Sequence, residues 1–202
     1  MEVKSWVRKI SAEVLTLAAL ILLITVAARS AFADHYYVPS GSMEYTLVAG
    51  DRVIVDKTAY GLRIPFTSLT VLVGERPARG EVVVFDSPES GDRLIKRVVA
   101  VGGDHVVLRD GKLTIDGEVL EDPSHPGVER YRRHLVKLNL SDGGGLDILP
   151  MTVPPNMVLV LGDHRGDSRD SRSFGLIPEA VVYGRALAIY YRQGQGLTWL
   201  PL

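Results

Sequence analysis

The sequence contains no cysteine. This absence excludes disulfide bonds, thiol catalysis and cysteine-bound metal ions, and it leaves the redox compartment of the protein undetermined. Charge of one sign is not in excess either, because the formal net charge at pH 7 is −1. A chain with so little net charge lacks the field that attracts nucleic acid, and we expect no nucleic-acid partner. Its 202 residues are enough for one sizeable globular unit or two small ones.

Long hydrophobic runs are also scarce, and one segment stands apart. Residues 14–28 carry no charge, and extending the run back to residue 10 admits only Glu13. A membrane-spanning helix needs roughly 17–25 mostly apolar residues. We therefore predict a transmembrane anchor over residues 10–28. Basic residues are concentrated in the preceding residues 1–9, whereas Arg29 alone follows closely. The positive-inside bias then predicts that residues 1–9 are cytoplasmic and that the body of the chain is exported.

A cleavable secretory signal is the alternative for this segment. The small-x-small triplet Ala31-Phe32-Ala33 follows the apolar run, as at a signal-peptide cleavage site. The run is long for the apolar part of a signal peptide, and Arg29 lies where such signals are usually uncharged, so the uncleaved anchor is favoured. Both interpretations export the body of the chain. A buried core helix is disfavoured because no polar face interrupts the run.

After the apolar run, the sequence periodicity becomes short and typical of strands. Five segments are rich in apolar and β-branched residues and are bounded by Gly, Pro or Asp. These segments are residues 51–56, 80–85, 93–101, 157–161 and 181–190. No comparable signal for a long helix follows the anchor. We predict a mostly β fold, in which an N-terminal transmembrane helix is followed by an antiparallel β domain.

The pattern changes within residues 104–154. Asp-Gly pairs at 110–111 and 116–117 each lie between short alternating apolar runs. Asp-Gly in that setting is the strongest short-range signal for a β-hairpin. We therefore predict that residues 104–154 form a small inserted β subdomain, which divides the main β domain into residues 35–103 and 155–202.

Residues 39–43 read Pro-Ser-Gly-Ser-Met and lie shortly after the anchor. A nucleophilic serine needs an exposed Oγ on a tight turn, with backbone N–H groups nearby that can hold an oxyanion. Gly41 permits such a close approach of the backbone, which makes Ser42 a candidate nucleophile. A Ser-Gly-Ser turn is common in ordinary loops, so on this segment alone a plain turn is the favoured interpretation.

A lysine in the predicted strand 93–101 changes this balance. Period-two alternation makes Lys96 the only charge on its face of the strand. The other members of that row are Leu94, Val98 and Ala100. An apolar setting disfavours a charged ammonium and lowers the pKa of a lysine, and a neutral amine can take the proton of a serine hydroxyl. A lysine that extends from a sheet edge into solvent is the alternative.

Residues 161–172 form a dense polar segment after a predicted strand, with three Asp, three Arg, two Ser and one His. Such a loop must pair its charges internally wherever it is buried. A solvated surface loop is one alternative. A cation site is another, although the spacing of the three Asp misses the calcium-loop pattern. The tripeptide Arg165-Gly166-Asp167 also occurs in adhesion motifs, but three residues match by chance too often to carry weight.

Taken together, these segments resemble the bacterial type I signal peptidases. That family carries a P-S-x-S-M box, a strand with K-R ahead of an apolar run and G-D, and a G-D-N-R-x-x-S-x-D-S-R box. The corresponding segments here are residues 39–43, 96–104 and 162–172, in the same order. Residues 50–61 and 79–85 match further segments of the family, so the resemblance covers most of the chain.

The resemblance implies roles for individual residues. Ser42 is implied as the nucleophile and Lys96 as its general base. The Ser40 hydroxyl would join the Ser42 N–H in an oxyanion hole, and the Ser168 hydroxyl would orient the Lys96 ammonium. Four residues match a charge network that supports the site without entering the chemistry: Arg97, Asp163, Asp170 and Arg172. Three others match positions that line shallow pockets for small substrate side chains: Tyr36, Val38 and Ile95.

The implied activity is that of a membrane-bound serine endopeptidase. It would remove N-terminal signal peptides from exported preproteins and cut after small-x-small sequences such as Ala-x-Ala. The expected partners are preproteins and the lipid bilayer, and the expected location is the bacterial cytoplasmic membrane, with the catalytic domain on the outer face. We expect no cofactor and no metal, because serine attack with lysine as the base needs neither. We expect the chain to act as a monomer.

The sequence departs from the family pattern in two places. Tyr45 replaces the usual Pro after the nucleophile box, and His164 replaces an Asn, with Gly166-Asp167 in place of an Asp-Asn pair. His164 offers a serine–histidine alternative, which is disfavoured because the Lys96 box is intact. Tyr45 keeps open a related peptidase dedicated to one substrate. An anchored β domain that binds a partner without catalysis is the third hypothesis.

Overall fold

The computed structural model describes residues 14–21, 33–63, 70–131 and 134–202. Helix α1 (residues 14–21) is exposed along its whole length. Among these described ranges, no helix is long and apolar enough to cross a membrane. Apart from α1, the predicted anchor over residues 10–28 and the predicted cytoplasmic residues 1–9 lie outside the described residues.

The regular secondary structure of the described chain beyond α1 is almost entirely β-strand. They are β1 (Ala33–Tyr37), β2 (Arg52–Asp56), β3 (Gly61–Arg63), β4 (Thr70–Val73), β5 (Val82–Asp86), β6 (Arg93–Val101), β7 (His105–Arg109), β8 (Lys112–Ile115), β9 (Glu118–Val119), β10 (Val128–Tyr131), β11 (His134–Lys137), β12 (Ile148–Thr152), β13 (Met157–Leu161), β14 (Ile177–Pro178), β15 (Val182–Arg192) and β16 (Gly196–Pro201). Helix α2 (Ser171–Phe174) and a 3-10 turn (Glu179–Val181) interrupt them. The mostly β fold class predicted from the sequence is confirmed.

The largest sheet has eight antiparallel strands in the order β1-β2-β15-β5-β6-β13-β14, with β16 also paired to β15. Its central strands are covered on both faces. β6 is buried without a break from Ile95 to Ala100. The predicted alternation of β6 therefore does not separate a core face from a solvent face, and Arg97 is buried together with Lys96.

Strands β7 to β12 lie within the predicted insertion of residues 104–154 and form a four-stranded sheet, β12-β7-β8-β9, and the hairpin β10-β11. The two hairpins predicted from Asp-Gly pairs are confirmed. At 110–111 the φ angles are 50° and 76°, and at 116–117 they are 53° and 84°. A type I′ turn needs a positive φ at both central residues, which is why Asp-Gly occupies these positions.

Residues 104–154, the predicted insertion and called the insertion below, share a core with the main sheet. Leu108 and Leu113 from the insertion are fully buried in one cluster with Val99 of β6 and Leu159 of β13. Burial of such a side chain stabilises the folded state by roughly 1.5–3 kcal/mol. The insertion is therefore packed onto the two strands that lead to the candidate site.

The topology brings three distant segments together. The turn that contains Ser42 follows β1, and Lys96 lies in the middle of β6. The polar loop of residues 162–170 follows β13, which pairs with β6 so that Leu161 lies opposite Arg97. The polar loop therefore begins next to the strand that carries the lysine.

Candidate active site

Residues 39–49 carry the candidate nucleophile Ser42 and are called the nucleophile turn below. This turn is held at its base by main-chain hydrogen bonds and anchored by one buried side chain. Val38 donates its main-chain N–H to Asp51 O, and Gly50 donates to Val38 O, both at 2.9 Å. Met43 is fully buried, whereas Ser42 is only half-buried. This arrangement holds the backbone firmly and leaves the Ser42 side chain within reach of a substrate.

Lys96 lies against Ser42. Its side chain is buried, with 3% of the residue exposed, and its Nζ lies 2.5 Å from Ser42 Oγ. Burial lowers the pKa of the Lys96 ammonium to about 8, because removing water destabilises the charged form. The carboxylates of Asp170 and Asp163 act in the opposite direction, but desolvation outweighs them. The amine is therefore neutral in a substantial fraction of molecules at mildly alkaline pH.

A second hydroxyl lies close to Ser42 Oγ. Ser40 Oγ is 3.4 Å from Ser42 Oγ. The main-chain N–H of Ser42 donates no hydrogen bond within the described part of the chain. The site thus presents one N–H and one hydroxyl close to Ser42 Oγ, which are the donor types that can stabilise an oxyanion.

Ser168 approaches the nucleophile turn at Gly162. A Cβ atom at Gly162 would lie 2.2 Å from Ser168 Oγ and 2.4 Å from the carbonyl oxygen of Ser42. Only glycine permits this approach. Ser168 Oγ is buried and makes no hydrogen bond to any described residue, so the contact with Lys96 Nζ implied by the family resemblance is not among the hydrogen bonds of the site.

A buried ion pair joins β6 to the start of the polar loop. Arg97 donates two hydrogen bonds to the Asp163 carboxylate, from Nε at 2.9 Å and from Nη2 at 2.7 Å. Arg97 also donates to Gly80 O, and Thr46 in the nucleophile turn donates to Asp163 Oδ2 at 2.5 Å. Asp163 therefore links the nucleophile turn to the strand that carries the lysine.

A second ion pair holds the far end of the polar loop. Asp170 is the N-cap of α2, and its carboxylate accepts hydrogen bonds from the Arg172 guanidinium at 2.7 and 2.8 Å. The same carboxylate accepts the main-chain N–H of Gly162 at 2.9 Å. Arg172 in turn donates to Gly144 O in the insertion. The four residues expected to form a charge network thus make two ion pairs, one at each end of the loop.

The three residues assigned to the substrate pocket lie in one apolar cluster. Val38 and Ile95 are buried, and Tyr36 packs against them while its hydroxyl donates to Arg93 O at 2.5 Å. Val38 lies just before the nucleophile turn, and Ile95 precedes the lysine in β6. The wall beside Ser42 is therefore apolar, with the Tyr36 hydroxyl directed to the backbone.

Sequence reasoning missed a third buried ion pair in the polar loop. Arg165 is fully buried and donates to Glu129 Oε2 at 2.6 Å and to Gly111 O at 2.7 Å. Tyr131 also donates to Glu129 Oε2, at 2.5 Å. Arg165 belongs to the family box, but nothing in the local sequence marked Glu129 as its partner. The pair connects the site loop to the interior of the insertion.

The geometry does not favour the two alternative chemistries, a serine–histidine pair and a cation site. The His164 ring is directed to Asp142, with Nε2 at 2.8 Å from Oδ2, whereas Lys96 is the side chain bonded to Ser42 Oγ. Among the described residues, no group of three or more His, Asp or Glu side chains is arranged to hold a metal ion.

The family model and similar curated proteins all point to the same family. Residues 11–191 match the family model described as signal peptidase, peptidase S26. The signal peptidase I of Haemophilus influenzae is 29% identical over 84% of this chain and 66% of its own length, and that of Pseudomonas aeruginosa is 32% identical over 84% and 69%. The chain thus spans about two thirds of these relatives. A solved signal peptidase I from Enterococcus faecalis V583 is 30% identical over 55% of this chain and 97% of its own, with a TM-score of 0.39.

Proposed function

Since this chain belongs to the signal peptidase family, peptidase S26, and is therefore a peptidase, we propose that it removes N-terminal signal peptides from exported preproteins with Ser42 as the nucleophile and Lys96 as the general base. The observation that supports this proposal most directly is the 2.5 Å separation of Lys96 Nζ and Ser42 Oγ. A buried, neutral amine at that distance can accept the serine proton.

The proposed reaction has two steps. Lys96 takes the proton of Ser42 Oγ while the oxygen attacks the scissile carbonyl, and the Ser42 N–H and Ser40 hydroxyl stabilise the oxyanion. The Lys96 ammonium then gives that proton to the leaving amine, which frees the mature protein and leaves an acyl-enzyme. In the second step Lys96 takes a proton from water while the water oxygen attacks the ester carbonyl. The Lys96 ammonium then returns that proton to Ser42 Oγ as the C–O bond breaks, which releases the signal peptide with a free carboxyl terminus and restores the enzyme.

The proposed specificity is for small side chains before the cut, as in Ala-x-Ala. Its support is the apolar wall formed by Tyr36, Val38 and Ile95 beside the dyad. A shallow apolar pocket accepts a methyl group but has no room or polar partner for larger or charged side chains.

We also propose that the protein is a single-pass protein of the bacterial cytoplasmic membrane, with its catalytic domain on the outer face. The support is the uncharged run of residues 14–28 and the basic residues that precede it. Ser42 follows the run closely, which would hold the dyad near the bilayer surface, where a signal peptide ends.

The test is cleavage of a preprotein with an Ala-x-Ala site by the detergent-solubilised protein. We expect Ser42→Ala and Lys96→Ala to lower the cleavage rate at least ~1000-fold, because each removes one half of the dyad.

Ser173→Ala and Lys112→Ala are the matched controls, since both side chains are exposed and distant in sequence from the dyad. Substantial cleavage by Ser42→Ala, or no cleavage of any preprotein by the unmodified chain, would refute the proposal. Cleavage of one native preprotein alone would indicate the dedicated peptidase.

A further inference from the structure

We propose that His164 is a positioning residue, which ties the nucleophile turn to the insertion and thereby sets the geometry of the dyad. This inference rests on the proposed function, because its effect is measured on the same cleavage reaction. It concerns a position at which this chain departs from the Asn of the resembled family.

His164 contacts both the nucleophile turn and the insertion. Its main-chain N–H donates to the carbonyl oxygen of Ser42 at 3.2 Å. Its ring is buried, with the residue 7% exposed, and Nε2 lies 2.8 Å from Asp142 Oδ2 in the insertion. This bond holds the pKa of the Asp142 carboxyl below its usual value. Because an ionised carboxylate only accepts hydrogen bonds, Nε2 must carry the hydrogen.

The other ring nitrogen faces the nucleophile turn. His164 Nδ1 is buried without a hydrogen-bond partner among the described residues, and it lies 3.9 Å from Glu44 Oε2. Glu44 follows Ser42 by two residues, and its carboxylate lies over Gly41, where a Cβ atom would meet Oε1 at 2.7 Å. The carboxylates that face the ring are therefore Glu44 on the turn and Asp142 on the insertion.

Further hydrogen bonds join three segments around His164: the polar loop, the nucleophile turn and the insertion. Asn139 in the insertion donates its N–H to Asp163 O at 2.9 Å and accepts the N–H of Arg165 at 3.0 Å, on either side of His164. The Asn139 side chain donates to Glu44 Oε2 at 3.3 Å. A shift of the insertion at Asp142 would thus be passed through His164 to the backbone of the nucleophile. Misplacement of a reacting group by about 1 Å can cost on the order of 100-fold in rate.

The experiment measures kcat and KM of the full chain on the Ala-x-Ala preprotein for His164→Asn, Asp142→Ala and the double variant. We expect each single variant to lower kcat about fivefold and to change KM less than about twofold, because the acting groups touch the turn and not the substrate. The double variant should be no slower than His164→Asn, because Asp142 acts only through the ring. His164→Gln, which keeps a donor directed toward Asp142, should recover part of kcat.

Asp147→Ala is the matched control, since its carboxylate lies in the same loop but accepts the N–H of Asp110. Asp142 is 60% exposed, so its replacement leaves the core intact. A normal kcat in Asp142→Ala or His164→Asn, or losses that multiply in the double variant, would overturn the positioning role. The proposed function would be refuted separately, by cleavage that persists in Ser42→Ala.

Discussion

At the scale of single residues, the site depends on how one amine is solvated. Three carboxylates in its surroundings would on their own raise the Lys96 pKa, Asp170 and Asp163 most strongly and Asp167 less. Asp163 and Asp170 are paired with Arg97 and Arg172. Loss of hydration therefore dominates, and the ammonium form is destabilised. Pairing the two strongest of these carboxylates with arginines is consistent with the proposed role of Lys96 as a base.

The pH dependence of cleavage follows from this balance. Only the neutral amine is a base, so the rate should rise about tenfold per pH unit below the Lys96 pKa and level off above about 8. The measurement is log(kcat/KM) from about pH 6 to about pH 9.5 in buffers of constant ionic strength, with circular dichroism as a control for folding. A rate that is flat over this range would show that Lys96 is not the titrating base.

At the scale of elements, the loop of residues 162–170 is held from both sides. Arg97 and Arg172 hold its two ends, and Arg165 extends from its middle into the insertion. All three guanidiniums also donate to backbone carbonyl oxygens. Each arginine therefore pairs with a carboxylate and also holds a segment of the backbone in place. Charges buried in this way contribute to positioning more than to net stability, because desolvation offsets most of their attraction.

The buried pair Arg165–Glu129 gives a stability prediction. Arg165→Met leaves the Glu129 carboxylate buried with only Tyr131 as a donor, and we expect the free energy of unfolding to fall by about 3–5 kcal/mol. The control is Arg169→Met, which removes an exposed ion pair with Glu89 and should cost less than about 1 kcal/mol. Urea denaturation followed by circular dichroism distinguishes the two. If both variants lose the same free energy of unfolding, the buried pair stabilises the fold no more than the exposed pair does.

In a second comparison, adding Glu129→Gln to Arg165→Met should recover part of the loss, because no buried charge then lacks its partner. A double variant that is less stable than Arg165→Met alone would contradict this account of the pair.

At the scale of the whole molecule, the proposed topology places residues 1–9 and the catalytic domain on opposite sides of a membrane. The absence of native cysteine permits a direct test with single cysteines. In intact spheroplasts, a membrane-impermeant maleimide should label Ser173→Cys and should label Ser5→Cys only after lysis, because the bilayer blocks the reagent. Detergent-treated samples, in which both react, are the control. Labelling of Ser5→Cys in intact spheroplasts would contradict the orientation, and loss of that position from the mature chain would indicate a cleaved signal.

Features governed by neighbouring residues followed from the sequence alone. The Asp-Gly hairpins were predictable because a positive φ at two adjacent positions is a local requirement. The central strands were predictable from their apolar runs, and the order of the boxes around Ser42, Lys96 and Asp163 indicated the family. The alternation of β6 was less informative, because both faces of that strand are covered and Arg97 is as buried as Lys96.

Only the tertiary structure decided how these parts meet. Ser42 and Lys96 are 54 residues apart in the chain, and their 2.5 Å contact depends on the register of β6 in the sheet and on the packing of the nucleophile turn. The partners of His164 and Arg165 come from the insertion, whose placement depends on the shared core. Residue type and spacing determine which chemistry is available, but distances across a sheet are set by the packing of many side chains at once.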